Sequence, residues 1–403
     1  MAPFRGPVSF APDSRWMTLL LALLAALPAL SIDINQPTLL AIQSELGSSL
    51  RAIGLTLSLF MVGFAVGQFG AGPLSDRFGR RRPLIVCLAA YVLAGLGCTL
   101  ATAVVVLVVS RLIQGVAAGG CVVLAFAMVR DLFEGEAARV KRSYVTALVS
   151  VAPMLAPTIG AIILGTWGWR AVYGILVAGG VGLLAVVARR LGETRASMPE
   201  ARAPRLRDGY ASVLSDRRFV STAAVNALSY GGVFAYIAGS PEVLIGGLHL
   251  SPLSYGLFFA CTSVALTAGA FSSGRSGKQG LRPNALVWGG LLVGAASAVA
   301  LAGAVVLQVA GVATLLPLLV ITLFCRGLAV PNVQHMALEP MQANAGTAAA
   351  ALGVMQILTG AVASAAVAFL LPVFGAGGMA YVMAAFALAS LAVWVLLVPR
   401  PAA

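Results

Sequence analysis

Long runs without a charged side chain constrain this chain more than any other feature. Residues 16–32 and 285–325 contain none, and comparable runs recur along the whole length. A helix of about 20 apolar residues crosses a hydrocarbon core of about 30 Å. Of the 403 residues, 60% are hydrophobic and 10% charged, against about 25% charged in soluble domains. A soluble fold of this length has no interior large enough for that apolar surface. The expected class is therefore an all-α membrane protein. The runs predict twelve helices, over 16–42, 51–75, 82–103, 105–131, 140–165, 169–190, 218–245, 252–275, 283–308, 311–334, 344–371 and 374–398.

The net charge of +13 does not point to a nucleic acid. The arginines sit at the ends of the apolar runs, mostly in alternate loops, which is the pattern of cytoplasmic loops in membrane proteins. Loops 77–82, 130–142 and 275–282 and the segment 191–217 are basic and fall on one side; the opposite loops carry little beyond Arg51 and Arg170. Both termini are then expected in the cytoplasm. The first run is full length and lacks a clear cleavage site, so it reads as a retained helix rather than a signal peptide. Segment 191–217 shows no helical periodicity and reads as a linker between an N-terminal bundle, 1–190, and a C-terminal bundle, 218–403. The turn at 72–83 has a faint counterpart at 273–283, without the acidic residue. Two six-helix halves related by duplication, with a cavity between them, are a transporter plan.

Asp33 is the one acidic residue deep inside an apolar run. A carboxylate at bilayer depth is costly and survives mainly where it faces a polar cavity and binds something. Asn35 and Gln36 follow it, then Pro37. Arg111 stands in the fourth run at matched depth, about 10–12 Å from the outer helix end at about 1.5 Å per residue. An opposite charge and burial pull the proton affinity of a carboxylate in opposite directions, so an Asp33–Arg111 pair that forms and breaks would couple protons to a conformational change. A static ion pair is the alternative. Gln114, one turn deeper, is placed to bond a substrate or a neighbouring helix. Asn226, Tyr230, Tyr236 and Gln356 are further candidates for lining a substrate cavity, and packing through polar groups explains each comparably well. Arg326 is a second buried cation, read either as reaching to the interface or as contacting an anionic substrate or lipid. Glu242 reads as solvated at the outer end of its helix. His249 and His335 read as loop residues.

The string Gly72-Pro73-Leu74-Ser75-Asp76-Arg77-Phe78-Gly79-Arg80-Arg81-Arg82 lies at a cytoplasmic helix–helix turn. Its glycines suit close helix approach and a tight turn, and Asp76 suits capping the next helix or pairing with a nearby Arg. The string resembles the signature of the major facilitator superfamily. Further resemblance, to the Bcr/CflA drug-resistance branch, rests on Arg130-Asp131-Leu132-Phe133, Ala156-Pro157, Trp169-Arg170-Ala171, Gly192-Glu193-Thr194, Tyr236-Ile237-Ala238-Gly239-Ser240-Pro241, Leu250-Ser251-Pro252, Tyr255-Gly256, Pro331-Asn332 and Ala345-Gly346-Thr347-Ala348. It implies a major facilitator fold of two pseudo-symmetric six-helix bundles. It also implies export of small amphipathic compounds, antibiotics among them, by alternating access in exchange for protons.

In this reading Asp33 and Arg111 couple protons, and Gly72, Asp76, Arg77, Gly79, Arg80 and Arg81 gate the inner side. Asn35, Gln36 and Gln114 join the substrate cavity. Pro153, Ala156, Pro157 and Gly160 mark the proline-rich fifth helix of antiporters, with Ala156 and Ala161 where the family pattern has glycine. The family usually places Met-Tyr-Leu-Pro after the first-helix Asp; Ile34-Asn35-Gln36-Pro37 here makes that helix more polar and leaves a metabolite or amino-acid exporter as the alternative. No Walker-type phosphate loop or His/Cys/Asp cluster is present in the sequence. The expectation is a non-enzyme without metal or cofactor, driven by protons, acting as a monomer in a bacterial cytoplasmic membrane. The five Cys read as small core residues.

Overall fold

The computed structural model describes residues 14–133, 135–194, 206–278, 280 and 282–398. Its elements are α1 (Arg15–Asp33), α2 (Leu39–Glu45), α3 (Leu50–Phe78), α4 (Arg81–Thr99), α5 (Val104–Leu132), α6 (Gly135–Arg190), α7 (Leu206–Ser215), α8 (Arg217–Pro241), α9 (Pro252–Lys278), α10 (Pro283–Val306), α11 (Val312–Leu338), α12 (Ala345–Phe374) and α13 (Ala376–Leu397). Among the described residues eleven segments are long and apolar enough to cross a bilayer. One of them, α6, is two helices joined at a kink at Gly168, whose φ of 78° and ψ of 175° interrupt the helical backbone.

Side-chain caps set several starts. Ser14 accepts from the Met17 amide at 3.1 Å, Ser49 from Ala52 at 3.2 Å, and Asp216 from Phe219 at 2.8 Å. Such caps satisfy amides that no helical carbonyl reaches. Large apolar side chains lie on the outside: Leu93 is 68% exposed, Phe271 78% and Leu396 75%. In water that surface would drive aggregation; in a bilayer it faces lipid.

The chain divides into two compact units, Met1–Ala201 and Arg202–Ala403. In the first, α3 and α5 pack backbone to backbone. A Cβ at Gly63 or Gly67 would overlap the carbonyl oxygens of Leu112 or Val116, and one at Gly115 or Gly119 those of Phe60 or Phe64. The second unit repeats the device: a Cβ at Gly269 would overlap the Phe324 carbonyl on α11, and one at Gly327 the Leu266 carbonyl on α9. Small residues allow this contact where no hydrophobic effect drives helices together. Gly72, expected to serve close approach, has open space where its Cβ would be.

Two local expectations are corrected. Part of the segment read as linker is helical: α7 ends in Tyr210 and Val213 packed with Phe219, Ala337 and Leu352 of the second unit. The arginines around it hid this short apolar face. Arg195, Arg202 and Arg205 lie outside the described residues. His335 lies exposed in the last turn of α11 rather than in a loop.

Candidate functional site

The first membrane helix is broken at its acidic residue. α1 ends at Asp33, residues Gln36–Thr38 form a 3-10 turn, and α2 resumes the path. Pro37 is the physical cause. It has no N–H to return to the carbonyl four residues back, which is that of Asp33, and its ring crowds the same oxygen. From α6, Gly160 lies so close that a Cβ there would overlap the Ile34 carbonyl. Ala156 packs beside Ile34 in a core shared with Leu107, Tyr173 and Trp169. The α-helix runs through both Pro153 and Pro157.

Asp33 is 3% exposed. Among the described residues it forms no ion pair. Asn35 donates Nδ2 to the Ser31 carbonyl at 2.9 Å, and Gln36 donates Nε2 to the Ile32 carbonyl at 3.4 Å. Those bonds orient both amides and leave Asn35 Oδ1 and Gln36 Oε1 buried without partners. The break thus gathers a buried carboxyl group and two free amide oxygens onto one short stretch of chain. A proton or a donor-rich ligand satisfies such a set.

The expected Asp33–Arg111 pair is not formed. The Arg111 guanidinium lies 4.2 Å from the Phe60 ring centroid and 5.9 Å from that of Tyr173, and Nη1 donates to Gln114 Oε1 at 2.8 Å. Rise per residue fixes depth along a helix, whereas the direction of a side chain turns about 100° per residue. Matched depth alone did not bring the charges together. Gln114 is bonded to Arg111 and keeps a buried, unpartnered Nε2. Ser31 bonds the Tyr91 hydroxyl at 2.6 Å, tying α1 to α4.

The arginine-rich turn is built around Arg80. Gly79, at φ 81°, reverses the chain between α3 and α4. Arg80 is 4% exposed. Its Nε donates to Asp131 Oδ2 at 2.7 Å and its Nη1 to Asp76 Oδ1 at 3.0 Å and to the Ser75 hydroxyl. Asp76 therefore pairs with Arg80, while another carboxylate caps α4: Glu193 accepts from the Arg80 amide at 2.7 Å and the Arg81 amide at 3.2 Å. A Cβ on Gly79 would collide with that carboxylate. Arg81 donates to the Ala188 carbonyl at 2.7 Å, and Arg77 is exposed beside Phe78. The clasp joins α3, α4, α5 and the end of α6 within one unit. Ser75, Asp131 and Glu193 were not singled out for it from sequence. The signal was their place at helix ends opposite an arginine cluster. In the second unit the link from α9 to α11 is neutral, with Asn332 Nδ2 donating to Ser273 Oγ at 2.8 Å.

Other candidates in the second unit divide. Tyr236 is 1% exposed, bonded to Thr262 at 2.8 Å and stacked on Phe259, so packing accounts for it. Ser240 bonds Tyr255 at 3.1 Å. Asn226 is fully buried with both amide atoms unpartnered. Tyr230 lies under the Arg326 guanidinium at 5.2 Å, and Gln356 is half-buried. Glu242, expected to be solvated, is half-buried with an unpartnered Oε2.

The sequence profile of the Major Facilitator Superfamily matches residues 21–356. The chain is 32% identical over 357 residues to the uncharacterized MFS-type transporter YdgK of Bacillus subtilis (strain 168), covering 86% of this chain and 87% of the relative. It is 30% identical over 351 residues to the multidrug resistance protein MdtL of Salmonella heidelberg (strain SL476), covering 85% of each. The crystal structure of a D-xylose-proton symporter superposes with a TM-score of 0.75 at 18% identity, covering 95% of this chain and 97% of that one. Eleven apolar segments of bilayer length among the described residues, one of them two helices joined at Gly168, lie in two units with repeated glycine contacts; with the profile match they make this chain a transporter rather than an enzyme, and a member of the Major Facilitator Superfamily.

Proposed function

We propose that the chain exports small amphipathic compounds, antibiotics among them, in exchange for protons across a bacterial cytoplasmic membrane. One observation carries the reading. Asp33 is buried at a helix break without an ion-pair partner among the described residues. An acid held this way is free to bind and release a proton as its surroundings change. Arg111, bonded to Gln114, is in this reading a neighbouring positive charge that a helix shift brings nearer. The Arg80 clasp holds one conformation of the first unit, and its opening accompanies access to the other side. The names of relatives such as multidrug resistance protein MdtL support drugs as cargo, and the helix-end motifs support the Bcr/CflA branch. The chain acts as a monomer, with H⁺ as its coupling ion and no cofactor.

A second reading, export of a polar metabolite or amino acid, is favoured by the free oxygens of Asn35 and Gln36 at the break. The test of the first is internal pH in proteoliposomes carrying an imposed proton gradient. A phenicol is added to wild type and to Asp33→Asn. Drug-triggered proton movement in wild type and none in the variant is the expected result. Equal movement in both removes Asp33 as the carrier. Movement with amino acids but with no drug moves the conclusion to the second reading, and movement that follows Na⁺ replaces the coupling ion.

A further inference from the structure

A cleft inside the second unit, between α8, α10, α11 and α13, spans about 470 Å³ of non-atom space, open solvent at its mouth included. Its walls are apolar, with Leu291, Leu323 and Met383 prominent. The hydroxyl groups that line it are already engaged: Ser229 and Ser390 bond each other at 2.9 Å, Ser390 also bonds the Val225 carbonyl, and Thr322 donates to Leu318 at 2.8 Å. Arg326 differs from them. Its Nη1 is buried with no hydrogen-bond partner, and among the described residues no carboxylate lies within ion-pair distance. The ring of Tyr230 faces one side of the guanidinium at 5.2 Å, which orients the head without neutralising it.

An unpaired guanidinium in an apolar cleft at membrane depth is costly, and a bound anion removes that cost. The planar fork matches a carboxylate or a phosphate. The α8 wall makes room: a Cβ on the lining residue Gly232 would meet nothing within 4 Å. We propose that this cleft binds an anionic amphiphile, its carboxylate or phosphate on Arg326 and its apolar body against Leu291, Leu323 and Met383. The anion comes from a transported organic acid or from a lipid headgroup. As a substrate site the cleft rests on the export reading; as a binding site it does not.

Phenylacetate and its neutral counterpart phenylacetamide are the probes, read by thermal unfolding of the full-length protein in detergent. Phenylacetate at about ten times its Kd should raise Tm by about 1–2 °C, and phenylacetamide should not. The shift should vanish in Arg326→Gln, persist at least in part in Arg326→Lys, and vanish in Gly232→Leu, which fills the cleft and leaves the arginine in place. A second arm places the same proteins in nanodiscs of phosphatidylcholine with or without phosphatidylglycerol. An Arg326-dependent shift with phosphatidylglycerol alone assigns the anion to lipid; one with phenylacetate assigns it to a soluble acid. Equal shifts with the amide, a shift that survives Arg326→Gln or Gly232→Leu, or no Arg326-dependent shift in either arm overturns the proposal. Asp33-dependent proton movement, measured after reconstituting the same proteins into proteoliposomes, separates the two readings, because it stands when only this cleft is misread.

Discussion

Arg80 shows how much one side chain contributes depends on where its partners sit. Its bond to Asp76 reaches a carboxylate that is 60% exposed, whereas Asp131 is 15% exposed. Exposed pairs contribute about 0–1 kcal/mol; stripping the partner from a buried charge costs about 3–5 kcal/mol. Arg80→Ala is therefore expected to lower stability by about 3 kcal/mol or more, and Asp76→Ala by no more than about 1 kcal/mol. Thermal unfolding of the two variants in one detergent checks this, and equal losses would show that Asp131 is not the principal partner. Gly79→Ala should also be costly. It places a Cβ at φ 81° and against the Glu193 carboxylate, so conformation and space both oppose it.

Two element-scale features separate stability from transport. The α3–α5 contact depends on missing side chains. Gly115→Val sets a branched side chain on the Phe60 carbonyl and should abolish accumulation of folded protein, by overpacking of more than about 3 kcal/mol. Gly72→Ala, with open space around it, should be neutral or gain up to about 1 kcal/mol of helix propensity. Size-exclusion profiles of the two variants decide the matter, and a monodisperse Gly115→Val protein would refute the close contact. The break at Pro37 works in the opposite sense. Pro37→Ala restores an amide for the Asp33 carbonyl, so it should raise Tm while slowing drug-driven proton movement at least ten-fold. A variant with raised Tm and unchanged transport would mean that the break has no part in the cycle.

At the scale of the whole molecule, an even number of crossings would put both termini on one side, and the arginine-rich loops make the cytoplasm the expected side. A green fluorescent protein fused to either end is then expected to fluoresce, and alkaline phosphatase fused to either end to stay inactive; the reverse pattern at one end would remove one crossing from the count. Lipid-facing positions give a second check. Leu93 is 68% exposed on α4, yet Leu93→Arg should cost about 3–4 kcal/mol of insertion free energy and reduce the amount of protein in the membrane.

The helix count, the membrane class and the basic turns were legible in the sequence because each depends on properties local to the chain. Hydrophobic runs of bilayer length form helices wherever they occur, and arginines mark their ends. Asp33 was legible for the same reason, as a charge without local company; the break at Pro37 was not, and the helix expected over 16–42 ran through it. Partnership was not legible. Arg111 turned to Phe60, Tyr173 and Gln114 rather than Asp33, and Arg80 found Asp131, 51 residues away. Glu193 capped a helix that begins 112 residues before it. The short helix of Leu206–Ser215 was hidden because arginines surround it and its apolar face is covered in part by residues far along the chain, such as Ala337 and Leu352. Such choices depend on how helices are rotated and how closely glycines let them approach, and only the packed structure decides those.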